Sequence, residues 1–225
     1  MSAHPLLPEL LAAADGTFPP VDGRAVLAPA LPGGLEAVVS FTGHAVLATA
    51  LTRTDLNGLA LDGFGAALQP AVLLRLAGPR GVVGVLDATL VGRGLGGGRL
   101  PARTDLDEHP RVRYAGEVRQ QVRVHGDERG LVTLARGLAG RLEISVEVDP
   151  ARAGVAGTGG GLVRDALGLV PRDQPVFAAV SPGNARSLRM FLALGFTPVG
   201  SEVLIRPDRL AAPSPAPDTS GRRTT

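Results

Sequence analysis

The sequence predicts an α/β (α+β) fold: a mixed, mostly antiparallel sheet flanked by helices, with an added N-terminal α/β region. Three observations predict it. Three strand-like runs, at 122–124, 131–135 and 142–148, follow one another across short turns, and short turns join antiparallel neighbours. The third run alternates strictly, with Leu142, Ile144, Val146 and Val148 apolar and Glu143, Ser145 and Glu147 polar between them, which is the period of a strand with one buried face. Two strand-to-helix units then follow, at 143–170 and 176–194.

From the N-terminus, residues 6–14 read as a short helix. A β-hairpin is expected over 35–51, where two apolar runs flank Phe41-Thr42-Gly43-His44. Residues 55–77 read as helical with an interruption at Pro70, and residues 81–91, rich in valine, as a strand. Residues 92–110 hold Gly96-Gly97-Gly98, Pro101 and the acidic set Asp105, Asp107, Glu108, the pattern of a mobile loop. Residues 111–121 form a further short helix. After the three strands a glycine-rich loop spans 154–161, and a helix over 162–170 stops before Pro171. Residues 176–180 are a buried strand. Asn184 can cap a helix running to Leu194, with Gly195 as its stop. Residues 203–205 form a last strand, and the Pro/Ser/Ala-rich segment 211–225 reads as a disordered tail.

The chain of 225 residues is 44% hydrophobic, enough for a substantial core, but only 3% aromatic, so aliphatic residues must fill it. Net charge is +2 from 23 basic and 21 acidic residues, and every basic residue is arginine. The balance and the lack of stacking aromatics argue against nucleic-acid binding. The arginine-only, Ala/Gly-rich usage suggests, by association, a high-GC bacterial genome. With no cysteine, thiolate metal sites, disulfides and cysteine nucleophiles are excluded. The four histidines show no metal spacing, so no metal is expected. Charges or prolines break every apolar run and no signal peptide is legible, so a cytoplasmic protein without membrane association is expected.

The chemistry lies in the strand, glycine loop and helix of 143–170. A helix N-terminus leaves backbone N–H groups unpaired at the positive end of its dipole. Glycines let that backbone approach a phosphate without a cationic side chain. A Walker loop is excluded because it needs lysine, and the spacing after Gly157-Thr158-Gly159 is not that of a dinucleotide loop.

Four pieces stand in order: Val148-Asp149-Pro150 ending a strand, Gly157-Thr158-Gly159 opening a helix, Asn184 with Ser187 on the next helix, and Gly195-Phe196 after it. In these the chain resembles the GNAT superfamily of N-acetyltransferases, over about residues 111–206. The resemblance implies a domain over 81–210, preceded by an N-terminal extension over 1–80. It implies acetyl-CoA as co-substrate, with the pyrophosphate on Arg152, Gly154, Val155, Ala156, Gly157, Thr158, Gly159 and Gly160. The pantetheine arm would lie along the backbone of Val146 and Val148, with Asn184, Ser187 and Phe191 beside it. An amine, on a small molecule or a protein, attacks the thioester directly. Glu143 and Glu147 are the candidate proton acceptors. The acceptor is expected to enter over 35–115, and a homodimer would match many relatives.

Two positions depart from the family pattern. Gly154 stands where the family has Arg or Gln, with Arg152 two residues earlier, and Phe191 stands where a tyrosine acid is usual. The second departure keeps an alternative open: an acyl-CoA-binding module without catalysis.

Overall fold

The computed structural model describes residues 3–210. Its centre is a nine-stranded, mixed and mostly antiparallel sheet in the order β1-β3-β2-β9-β4-β8-β7-β6-β5, flanked by five α-helices. This is the predicted class. The strands are β1 (Arg24–Ala28), β2 (Glu36–Phe41), β3 (His44–Ala48), β4 (Val82–Arg93), β5 (Gln120–Asp127), β6 (Gly130–Arg136), β7 (Leu142–Val148), β8 (Pro175–Val180) and β9 (Thr197–Arg206). The helices are α1 (Leu6–Ala14), α2 (Pro70–Ala77), α3 (Pro110–Val118), α4 (Thr158–Gly168) and α5 (Ala185–Ala193).

The hairpin expected from Phe41-Thr42-Gly43-His44 is β2–β3, registered from Ala37↔Ala48 to Phe41↔His44. The run of short-turned strands is the antiparallel set β5–β6–β7. On its other side β2 pairs with β9, from Glu36↔Ile205 to Ser40↔Ser201. The first strands of the chain therefore extend the same sheet that the last strand enters.

Alternation sorts each strand onto two faces. Leu142, Ile144, Val163, Ala166 and Phe191 share one apolar cluster, placing α4 and α5 on one face. Leu6, Leu10, Val39, Val91 and Phe177 share another, which places α1 on the opposite face. Arg111 and Arg119, at the two ends of α3, pair with Glu147 and Glu143, so α3 covers that second face too. Val72 and Leu76 of α2 pack on Val38, Val203 and Ile205.

Three sequence expectations change. The helix expected over 55–77 is confined to 70–77. Pro70 opens α2 at its first position, where its missing N–H costs nothing, rather than interrupting a longer helix. Helix α4 begins at Thr158, so Gly159, Gly160 and Gly161 belong to its first turn and not to the loop. The segment after β4, expected to be mobile, is stitched to the end of α4. Leu95, Gly96 and Gly98 donate to the carbonyls of Leu167, Val170 and Gly168 at 2.9, 3.0 and 2.8 Å. The carbonyls at a helix C-terminus have no partner within the helix, and this segment supplies the donors. The tail expected to be disordered lies outside the described residues.

The seam fits only because both residues at the crossing are glycines. A Cβ on Gly168 would stand 2.5 Å from the Gly98 Cα. Gly168→Ala is expected to cost about 1–3 kcal/mol by overpacking. Urea denaturation reads the loss, and faster hydrogen exchange at Leu95, Gly96 and Gly98 locates it.

Candidate functional site

Strands β7 and β8 run parallel but pair only at Glu143↔Phe177. Beyond that pair they part. Which backbone groups face the opening follows from the phase of the β6–β7 ladder. In an antiparallel pair, alternate residues turn both N–H and C=O toward the partner. Asp149 donates to Arg129 O at 2.9 Å, so the odd-numbered residues of β7 face β6. Ile144, Val146 and Val148 therefore turn their backbone groups the other way. Past the single β7–β8 pair, the N–H groups of Val146 and Val148 look into the gap.

Helix α4 begins beside that gap. A Cβ on Gly159 would meet the Val148 side chain at 3.2 Å and Met190 Sδ at 2.9 Å. The end of β7, the first turn of α4 and the body of α5 thus converge. The cap residue Gly157 is left-handed at φ 81° and offers no side-chain acceptor. Gly161 N–H bonds Gly157 O at 2.8 Å, while the N–H groups of Gly159 and Gly160 have no acceptor among the described residues. The first turn also carries no acidic residue. Unpaired N–H groups at a positive dipole end form an anion site.

The remaining cofactor candidates spread around this turn. Arg152, Gly154, Val155 and Ala156 lie on the exposed stretch between β7 and α4, and Thr158 is half-buried at the helix start. Asn184 is a helix cap, its Oδ1 accepting from Ser187 N at 3.1 Å, which leaves its NH2 group free to donate. Phe191 is 3% exposed. Its ring meets Phe196 edge-on at 4.9 Å, so it belongs to the core and not to the surface of the cleft.

The two carboxylates expected as proton acceptors are both held by cations. Glu143 is buried and bonds Arg119 at 2.6 Å, Arg141 at 2.9 Å and Leu138 N at 2.9 Å. Burial alone would raise its carboxyl, but the Arg141 and Arg119 guanidiniums overcome that and hold it at about 2. With its lone pairs occupied, Glu143 organises its surroundings and takes up no proton near neutrality. Glu147 is half-exposed and accepts from Arg111 Nε at 2.7 Å, with His109 at 3.7 Å. Asp105, from the acidic set of the segment after β4, is bound to Arg103, whose guanidinium lowers its carboxyl to about 2.

A cavity of about 480 Å³ lies on the α1/α3 face. Ala179 of β8, Asp87 of β4 and Glu202 of β9 line it, with Tyr114 and Glu117 of α3. Asp87 and Glu202 are direct cross-strand partners. Glu202 is 6% exposed and is held by Arg141 Nη2 at 2.6 Å and by Thr89 Oγ1 at 2.5 Å. No hydrogen bond or ion pair reaches the Asp87 carboxylate from the described residues. Burial, and next the Glu202 carboxylate, push Asp87 up to about 6; Arg119 pulls it down and Glu143 adds to the rise. Sequence reading passed over Asp87, although it is the one charge inside the valine-rich run of 82–91, and a lone carboxylate in a sheet-centre strand is a signal in itself.

No cluster of metal-ligating side chains occurs among the described residues, and no helix among them is long and apolar enough to cross a membrane.

No family model and no curated protein matches the sequence. In structure the chain is similar to a protein assigned to the GNAT acetyltransferase family from Novosphingobium aromaticivorans DSM 12444. The TM-score is 0.41 at 17% identity, over 58% of this chain and 69% of that one. It is also similar to a functionally unknown conserved protein from Staphylococcus epidermidis ATCC 12228. There the TM-score is 0.39 at 12% identity, over 61% of this chain and 66% of that one.

Proposed function

We propose that the protein is an acyl-CoA-dependent N-acyltransferase that moves an acetyl group from acetyl-CoA to an amine by direct attack. The observation that carries this reading is the parting of β7 and β8 beside the uncapped first turn of α4. The pyrophosphate sits on the N–H groups of Gly159 and Gly160. The extended pantetheine arm pairs with the open edge of β7 as an added strand would. The thioester carbonyl meets a β7 N–H, which stabilises the oxyanion as the amine adds. The amine adds after its ammonium proton has been lost; the C–S bond then breaks, and the thiolate takes the next amine proton, directly or through water.

Phe191 has no proton to give, and its burial favours a second reading, an acyl-CoA-binding module without turnover. The two readings share the cofactor site and differ in whether free CoA appears. The absence of cysteine makes that measurable with a thiol reagent, since the protein adds no background.

Calorimetric titration with acetyl-CoA tests the cofactor site, with Gly160→Asp as the comparison. A Cβ at Gly160 meets nothing within 4 Å. An acidic residue in the first turn suits the helix dipole, by about 0.3–1 kcal/mol, so the variant is expected to unfold no earlier than the wild type. A carboxylate about 4 Å from the pyrophosphate costs about 4 kcal/mol at an effective dielectric of about 20. Affinity should therefore fall by about 100-fold or more. Equal affinity in both proteins, or no binding by the wild type at millimolar ligand, ends the proposal.

A further inference from the structure

The cavity on the α1/α3 face has a defined relation to the cofactor site. Strand β8 pairs with β4 as far as Ala88↔Val180. Asp87 lies one residue past that pair, on the side toward which β7 and β8 part. The floor residue Ala179 is likewise beyond the last β7–β8 pair. The cofactor reading places the thioester in the gap, approached from the α4 face. From the opposite face the cavity is lined by Glu143, where β7 and β8 still pair, and by Ala179, two residues past Phe177.

Its charges are arranged unequally. Arg141 is fully buried, stacks on the Phe177 ring at 4.9 Å and bonds both Glu143 and Glu202. Glu202 is thereby held in place by a cation. Among the described residues Arg141 Nη1 has no partner, a buried donor beside two of the cavity's lining residues. Glu117 of α3 reaches Arg206 of β9 at 3.1 Å and spans the cavity's rim. Of the acidic groups facing Asp87, Glu143 and Glu202 are bound to arginines, and Arg119 is bound to Glu143. Asp87 is left to interact with whatever occupies the space.

We propose that this cavity is the acceptor site for a cationic primary amine and that Asp87 is the catalytic residue that takes its proton. This rests on the acyl-transfer reading of the adjacent gap. The ammonium group enters beside Asp87 and Glu202, where two carboxylates favour a cation. Asp87 removes one proton and leaves a neutral amine, whose lone pair forms the N–C bond to the thioester carbon. As the C–S bond breaks, the second proton goes to the departing sulfur, and Asp87 returns its own to solvent. A carboxyl pushed up to about 6 is ionised at neutral pH and basic enough for this transfer. Two adjacent carboxylates divide the work: one is paired with an arginine while the other exchanges its proton.

The test uses the full chain with 13C-labelled aspartate carboxyl groups and a fixed panel: an alkyl monoamine, spermidine, tyramine, a 2-amino sugar and a tripeptide with a free N-terminus. One aspartate signal is expected to titrate near pH 6, to vanish in Asp87→Asn and to move to lower pH in Glu202→Gln. Millimolar amine should shift that signal and lower its midpoint, because a cation favours the carboxylate. With acetyl-CoA and the best amine, Asp87→Asn should lose about 100-fold or more in CoA release while binding acetyl-CoA as the wild type does. Asp87→Glu should recover part of that rate, and Asp105→Asn should change nothing. The wild-type rate should rise with pH through an inflection near 6 that is absent from Asp87→Asn. If no amine moves the Asp87 signal, or if amines move it but none releases CoA, the proposal is overturned. If Asp87→Asn keeps the wild-type rate, the proposal alone falls and the acyl-transfer reading stands. Failure of acetyl-CoA to bind at all removes that reading instead.

Discussion

Arg141→Met is expected to destabilise the fold by about 3–5 kcal/mol at neutral pH, the cost of breaking a buried ion network by removing one partner. Arg141 is 1% exposed between Glu143 and Glu202, themselves 5% and 6% exposed. Methionine fills much of the volume over Phe177, so the loss measures charge more than packing. Glu143 keeps Arg119 and the Leu138 N–H. Glu202 keeps only the Thr89 hydroxyl and faces Asp87 across the strand pair. Urea denaturation across pH tests the cause. In the wild type, Glu143 is held near 2, below its ordinary 4.5. Its contribution is therefore full above about pH 4.5 and is lost as pH falls toward 2. In the variant the deficit should narrow as pH falls, because the stranded carboxylates can then be protonated. Adding Glu202→Gln to Arg141→Met should restore part of the stability, and a non-additive double-mutant cycle is the expected result. A deficit independent of pH and unchanged in the double variant would mean that packing, not charge, is at stake.

The same network shows where sequence reading stopped. The odd positions of β7 were legible as one polar face, and Glu143 and Glu147 followed as candidates. What was not legible is that Arg119, twenty-four residues upstream, and Arg141, two residues away, both point at Glu143. A pattern of period two gives the face of a strand, not what the other elements bring to it. Strand β4 makes the point from the opposite direction. Its valine-rich run was readable as a strand, but its place between β8 and β9 is not. Sheet order depends on long-range pairing, and nothing local specifies it. Asp87 therefore read as one charge in an apolar run, and only the fold sets it beside Glu202, on the strand that pairs with β8. Local signals fared best where the cause is local: Asn184 caps α5 as expected, and the hairpin turns at Thr42-Gly43. They fared worst at the glycine run, because three glycines of a first helical turn and three of a loop look alike in sequence. Glycine's low helix propensity argues for the loop, yet the packing of α4 on β6 and β7 outweighs it.

Val146→Pro is the sharpest test of the open edge. The ladder phase assigns the Val146 N–H to the gap and the Glu147 N–H to β6. Proline is tolerated on a strand where its missing N–H faces no partner, and is disruptive where a ladder bond is lost. Val146→Pro is thus expected to cost about 1 kcal/mol or less, and Glu147→Pro about 3 kcal/mol or more. The catalytic consequence runs the other way. If the Val146 N–H polarises the thioester, removing one such donor lowers the rate by about 100- to 1000-fold. Binding of acetyl-CoA should weaken far less, because the proposed pyrophosphate site is on α4 and not on β7. The expected signature is a folded protein that titrates with acetyl-CoA and releases CoA slowly. If Val146→Pro binds and turns over like the wild type, the oxyanion donor lies elsewhere on the edge, and Val148, two residues on and of the same phase, is the next position to change. If the two proline variants are equally destabilised, the ladder phase is wrong and both strand faces must be reassigned. The pair of substitutions therefore separates an error in the chemistry from an error in the strand register, which a change of side chain alone would not do.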